Sequence, residues 1–245
     1  MDIRDVARLP NVSIATVSRT VNGVRSVDGR LAKRVWKTIE ELAYYPNRSA
    51  RAIRQAVQHL AALWHTQIGL ISGPLALRSA VARQEAFEAS MDEIGLAVGR
   101  DFVVQGDHRL EGGKRAFQKL SRLPEPPTAL LCSNDMTAIG VMREAFELGI
   151  RVPEDLSVIG FDDIRMAGFL IPPLTTVQMS QSELARLAFE GLINEIRNHN
   201  PLPEGTEYLL KTRLILKNSA TLPAGPERRK MRSATKRVTR RSATR

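Results

Sequence analysis

The sequence predicts an all-α headpiece followed by an α/β domain with a parallel sheet, and three observations carry that reading. Residues 1–45 hold three short helical patterns separated by turn residues. From residue 68 onward, short apolar runs alternate with helical stretches, the rhythm of strands joined by crossover helices. A length of 245 residues fits one small module beside one larger core, at about 150 residues per domain.

The headpiece elements follow in order. Ile3, Val6 and Ala7 share a helical face, and Asp2 is an acceptable N-cap before them. Leu9-Pro10-Asn11 breaks that helix, because proline cannot continue a helix interior and asparagine tolerates the left-handed backbone of a tight turn. Ser13 then caps a second helix in which Val17 and Val21 point inward, leaving Ile14, Ala15, Thr16, Ser18 and Arg19 outward. Asn22-Gly23 stops it. A third helix over residues 29–43 buries Leu31, Val35, Ile39 and Leu42. Two helices joined by a tight turn, the second short and polar outside, describe a helix-turn-helix.

In the larger domain the expected strands cover residues 68–71, 102–105, 129–132 and 157–160. Helices are expected over residues 80–94, 113–120, 137–148 and 182–197, and residues 208–216 read as a strand returning to the sheet. Ligands of such sheets bind where the chain leaves the carboxyl ends of the strands.

Composition narrows the function classes. With 43% hydrophobic and 25% charged residues the chain is neither collagen-like, wholly disordered nor disulfide-dense. Its net charge of +10 is uneven: residues 1–59 carry +6, residues 60–223 carry −4, and residues 224–245 carry +8. A basic head and tail around an acidic middle point to a polyanion, nucleic acid first and an anionic membrane second. A single cysteine, Cys132, excludes an internal disulfide and a multi-thiolate metal site. With no signal-like start and no long apolar run, the expected location is the cytoplasm, with no membrane partner.

Residue identities go further. The run VSIATVSRTVNG over residues 12–23, then Val27, then EELAYYPNRSAR over residues 40–51, closely resembles the headpiece of the lac-repressor (LacI/GalR) family of bacterial regulators. The resemblance implies that the second helix enters a DNA major groove. Ile14 and Ala15 would meet base edges there by apolar contact, and Arg19 would fork onto a guanine. Ser13, Thr16, Ser18 and Asn22 match positions that bind phosphates and set register. Residues 46–54 resemble the family's hinge helix, with Asn47, Arg48, Ala50 and Ile53 at the matching positions and Ile53 in place of the usual leucine wedge for the minor groove. The alternative reading of Ile53 is a buried helix residue.

The resemblance continues into a periplasmic-binding-protein-like effector domain, but about a hundred residues that form most of one lobe in relatives are absent after the hinge. The implied architecture is therefore a truncated domain with one complete lobe. SNDMTAIG at 133–140, GFDD at 160–163 and IPPLTTV at 171–177 match the family's pocket segments. By that resemblance Arg83, Asn134 and Asp162 hold ligand hydroxyls, and His108 sits where relatives stack an aromatic ring. Each has a structural alternative: Asp162 and Asp163 as turn residues, Asn134 as an N-cap, Arg83 as a surface charge.

Ala50, Ile53, Val57, Leu60 and Trp64 recur at helical spacing with no Gly or Pro between residues 47 and 65, which favours one continuous helix from the hinge into the core. A hinge of that kind stays formed, so DNA binding independent of ligand is expected. The helix over residues 182–197 packs on the absent lobe in relatives, and here its apolar face of Leu184, Leu187, Ala188, Leu192 and Ile196 is left uncovered.

The expected organisation is a DNA-binding headpiece with hinge over residues 1–54, an effector and dimerisation domain over 55–222 and a disordered basic tail over 223–245. The expected function is a transcriptional regulator, a repressor reading a palindromic double-stranded operator as a homodimer, with a sugar or nucleoside-like effector and no cofactor or metal. No nucleophile with a base partner is evident, so an enzyme is not expected. A sugar-binding module without regulatory output, and a degraded copy competing with an intact relative for DNA or subunits, remain as alternatives.

Overall fold

The computed structural model describes residues 3–21, 27–41, 48–197, 210 and 212–225. The chain divides into two compact units, Met1–Asn47 and Arg48–Arg245.

In the first unit α1 (Ile3–Arg8), α2 (Ile14–Val21) and α3 (Gly29–Glu41) close around Val6, Ala7, Val17, Val35 and Ile39. The turn forms as the sequence requires: Asn11 is left-handed at φ 50°, and the Val12 amide donates to the Ala7 carbonyl at 3.0 Å. Ser13 caps α2, its Oγ accepting the Thr16 amide at 3.1 Å. Asp28 caps α3 in the same way, accepting the amides of Arg30 and Leu31. The Arg34 guanidinium donates to the Pro10 carbonyl at 2.7 Å and so ties α3 to the turn. Asp2, Gly23, Leu42 and Ala43 lie outside the described residues, as do the side chains of Val21 and Ser18.

The second unit opens with α4 (Arg48–Ala62), one unbroken helix across the boundary at which the hinge was expected to end. Ala52, Ile53, Ala56, Val57 and Leu60 lie on one face and are fully buried. Trp64 does not extend that stripe. The backbone turns left-handed there (φ 66°), the His65 amide closes onto the Leu60 carbonyl, and the indole is left 77% exposed. A left-handed residue after a helix terminus redirects the chain, and here it feeds the first strand.

The strands are β1 (Ile68–Ser72), β2 (Val103–Gln105), β3 (Ala129–Cys132), β4 (Ser157–Asp162), β5 (Thr175–Met179) and β6 (Thr212–Ile215). They form one sheet in the order β2-β1-β3-β4-β5-β6, parallel except for β6, which pairs antiparallel with β5. β5 falls in the segment read from the sequence only as a pocket motif. Helices α5 (Arg78–Glu93), α6 (Leu110–Leu120) and α7 (Asp135–Glu147) are the crossovers. The core has two layers: α4 and α5 pack on one face of the sheet through Ile53, Leu60, Phe87 and Met91, whereas α6 and α7 pack on the other through Phe117, Leu120, Val141 and Ala145.

His65 fastens the amino-terminal end of the sheet. Its ring nitrogens meet the Thr128 hydroxyl at 2.8 Å and the Thr221 carbonyl at 2.8 Å, so the segment after β6 is held against β3 and β4. The last helix, α8 (Gln181–Arg197), buries no side chain, and Leu184, Phe189, Leu192 and Ile196 are exposed, as its uncovered stripe led one to expect. No helix among the described residues is long and apolar enough to cross a membrane.

Candidate functional site

Two sets of residues were expected to contact partners. In the first unit, α2 presents Ser13, Ile14, Ala15 and Arg19 to solvent while Val17 and Thr20 face the core. Thr16 is half-buried; its carbonyl accepts the Thr20 hydroxyl and its own hydroxyl lies 2.9 Å from Ser13 Oγ. The first turn of α2 is thus rigidly capped, with an apolar pair at its start and an arginine one turn on. Asn22 and Asn47 lie outside the described residues, and so do the side chains of Ser18 and Arg48.

Of the hinge positions, Ala50 and Ile53 follow the buried-helix alternative and not the wedge. Ala50 is half-buried against the core of the second unit, and Ile53 is 0% exposed within it. Its neighbours there include Phe87 and Met91 of α5. One face of a helix serves one partner at a time, so the face expected to wedge into DNA is committed to the protein core. The Arg54 guanidinium, 2.7 Å from Glu93 of α5, closes the same contact at the surface.

The second set gathers at the carboxyl ends of the strands. Arg83 projects from α5 and is only 8% exposed, so it is not a surface charge. Its guanidinium stacks on the Phe161 ring at 3.7 Å from the centroid and donates from Nη1 to the Ser133 carbonyl. Nη2 lies 3.9 Å from Asp162 Oδ1, longer than a hydrogen bond, and Nε is buried with no acceptor among the described residues. Burial pulls the Arg83 pKa down and raises that of Asp162, while each charge partly restores the other. A buried donor without an acceptor beside an under-used carboxylate is an arrangement that a polar ligand completes.

His108, at φ 62° after β2, turns back over the ends of β1 and β3. A Cβ added at Gly73 would overlap its ring, so glycine there permits the close approach. The ring lies 2.9 Å through Nε2 from Ser133 Oγ. Burial first, then the Arg83 charge, lowers its pKa, which leaves a neutral imidazole beside the guanidinium. Asn134 has its amide largely occupied: Oδ1 accepts the Thr137 amide at 2.9 Å as the N-cap of α7, and Nδ2 donates to the His108 carbonyl at 3.0 Å. Its role in this arrangement is to join α7 to the His108 loop.

Asp162 and its neighbour Asp163 are both left-handed, at φ 113° and 53°. Asp163 is clamped, with Lys217 Nζ at 2.8 Å and Gln178 Nε2 at 2.8 Å. Asp135, which the sequence reading passed over, is fully buried behind this turn and accepts the Ile164 amide at 2.9 Å and the Thr176 hydroxyl. Its signal was present as the carboxylate beside Asn134, but its partners lie 29 and 41 residues away and no local pattern announces them.

Residues 2–47 match the family of bacterial regulatory proteins, lacI family, and residues 57–220 match the periplasmic binding protein-like domain. The HTH-type transcriptional repressor PurR of Shigella dysenteriae is 37% identical over 164 residues, covering 67% of this chain and 48% of that repressor. PurR of Escherichia coli gives the same figures. The chain thus spans about half the length of the curated relatives it matches. Among solved structures, the lac repressor dimer bound to operator and the anti-inducer ONPF is similar at TM-score 0.64 and 29% identity, over 71% of this chain and 59% of that one. A regulatory protein of the LacI family from Chloroflexus aggregans is similar at 0.63 and 30%, over 70% and 61%.

Proposed function

The chain belongs to the lacI family of bacterial regulators, with the family's headpiece over residues 2–47 and a periplasmic-binding-protein-like domain over residues 57–220, and on that premise we propose that it is a transcriptional repressor. It binds a palindromic double-stranded operator in the cytoplasm, as a homodimer, and catalyses no reaction. The observation that carries this reading is the exposed, capped start of α2, with Ile14 and Ala15 facing outward and Arg19 one turn on. An arginine so placed reaches two acceptors on a guanine edge, and a bidentate contact of that kind discriminates by about 1–3 kcal/mol.

Arg19→Ala is therefore expected to relax sequence preference about 5- to 150-fold at one position of each half-site, read by selection from random duplexes. An unchanged selected sequence rules out Arg19 as the reader. With Ile53 in the core, the wedge assignment is not carried forward, and base reading falls to α2. Exposed Ser13 and half-buried Thr16, beside Ser18 and Asn22, remain as phosphate contacts, and Asn47 and Arg48 as hinge-segment contacts to DNA, whereas Ala50 packs with Ile53 against the core.

The cluster of Arg83, His108, Asn134 and Asp162 is the effector site in this reading, suited to a sugar or a nucleoside-like compound with adjacent donors and acceptors. Soaking the protein in D-ribose, D-galactose or hypoxanthine should raise its melting temperature for a bound compound, and a ligand at a hundred times its Kd adds about 2.7 kcal/mol. Arg83→Lys, which lacks Nε and the planar fork, should abolish that rise. If none of the three stabilises the wild type, the effector assignment is wrong for these classes. Because α4 is continuous and packed in the core, operator affinity should not change with the bound compound. A several-fold fall would show that α4 still acts as a ligand-controlled hinge.

A further inference from the structure

We infer that Asp135 is a positioning residue for the Arg83 and Asp162 pair, holding the Asp162–Asp163 turn in the shape that aims Asp162 at Arg83. This rests on the reading of that pair as a ligand site, and deepens it by naming what preorganises the pair.

Two consecutive non-glycine residues with positive φ do not adopt that shape unaided. The surrounding structure must over-determine it, and the hydrogen bonds show how. Asp135 Oδ2 accepts the amide of Ile164, the first residue beyond the turn, at 2.9 Å. Oδ1 accepts the Thr176 hydroxyl, and Thr176 Oγ1 in turn lies 3.4 Å from the Asp163 amide. Both backbone amides after Asp162 thus hang from one buried carboxyl group, one directly and one through Thr176. Gly160 makes room for it, since a Cβ there would overlap Asp135 Oδ1.

The charges around Asp135 identify what it supplies. Asp162 and Asp163 face it from the turn and Cys132 from β3, and the Lys217 ammonium of the segment after β6 is engaged with Asp163. Burial first, then these two carboxylates, push the Asp135 pKa up to about 6. The protonated carboxyl can donate from Oδ1 to Thr176 Oγ1 and still accept the Ile164 amide at Oδ2. The turn therefore needs the acceptor and the shape of the group, not its charge. Asparagine supplies both and alanine supplies neither.

The test follows the Arg83 Nε–H signal of the full chain by NMR, assigned through Arg83→Lys, together with binding of D-ribose and hypoxanthine. Asp135→Ala is expected to move the Arg83 signal and to weaken any bound compound at least tenfold. Asp135→Asn is expected to keep the wild-type signal and affinity, because the amide supplies the acceptor for the Ile164 amide and the shape of the group without its charge. An unmoved Arg83 signal in folded Asp135→Ala, or an Asp135→Asn signal moved as far as that of Asp135→Ala, overturns the proposal. If Asp135→Ala does not fold, Thr176→Val removes one arm of the support and must move the same signal; an unmoved signal there overturns it equally. Should neither compound bind the wild type, the ligand reading fails while the NMR measurement still decides the positioning role.

Discussion

Replacing Ile53 by alanine lowers the unfolding free energy of the second unit by about 2–5 kcal/mol, the range for truncating a fully buried isoleucine. The side chain is 0% exposed and packs in the same cluster as Val57, Leu60, Phe87 and Met91. Truncation leaves a cavity that two helices braced on a sheet cannot easily collapse, which places the expected loss in the upper half of that range. Urea denaturation followed by far-UV circular dichroism measures it. A minor-groove wedge predicts the opposite pattern, with stability nearly intact and operator affinity lost. A change below about 0.5 kcal/mol, the size of an ordinary surface substitution, would return Ile53 to the DNA.

The second large effect is a pH dependence. Asp135 has its pKa raised from 3.8 to about 6 in the folded protein, burial being the main cause. Between about pH 4 and 6 the folded state therefore holds a proton that the unfolded chain has released. Stability from this group is fully present below pH 4, falls as pH rises through the interval up to 6, and stays lost above it. At about 1.36 kcal/mol per pKa unit the loss is about 3 kcal/mol. Asp162, also raised by burial, acts in the same direction. The measurement is the difference between wild type and Asp135→Asn in unfolding free energy at pH 4 and pH 7. Parallel profiles for the two proteins would mean that Asp135 has an ordinary pKa.

These two residues mark where sequence reading stopped. The spacing of Ala50, Ile53, Val57 and Leu60 correctly announced a continuous amphipathic helix. It could not say what covers the apolar face, because DNA grooves and sheet cores both accept the same stripe. Asn134 and Arg83 were correctly located at the strand ends, yet the amide of Asn134 goes into capping α7 and joining the His108 loop. β5 went unread as a strand because Thr175-Thr176-Val177 is too short a run to alternate clearly. Trp64 fits the helical period by position and leaves it by conformation.

The sequence by itself determined the order and type of most elements, the capped turn at Leu9–Ser13, the outward face of α2 and the uncovered stripe of α8. All are local consequences of backbone preference and of apolar period over a few residues. Only the tertiary structure decided that α4 belongs to the second unit, that Arg83 stacks on Phe161, and that Asp135 and Lys217 together hold the Asp162–Asp163 turn. Those contacts join residues far apart in the chain, 78 positions for Arg83 and Phe161, and a period measures which face is apolar without naming what it meets.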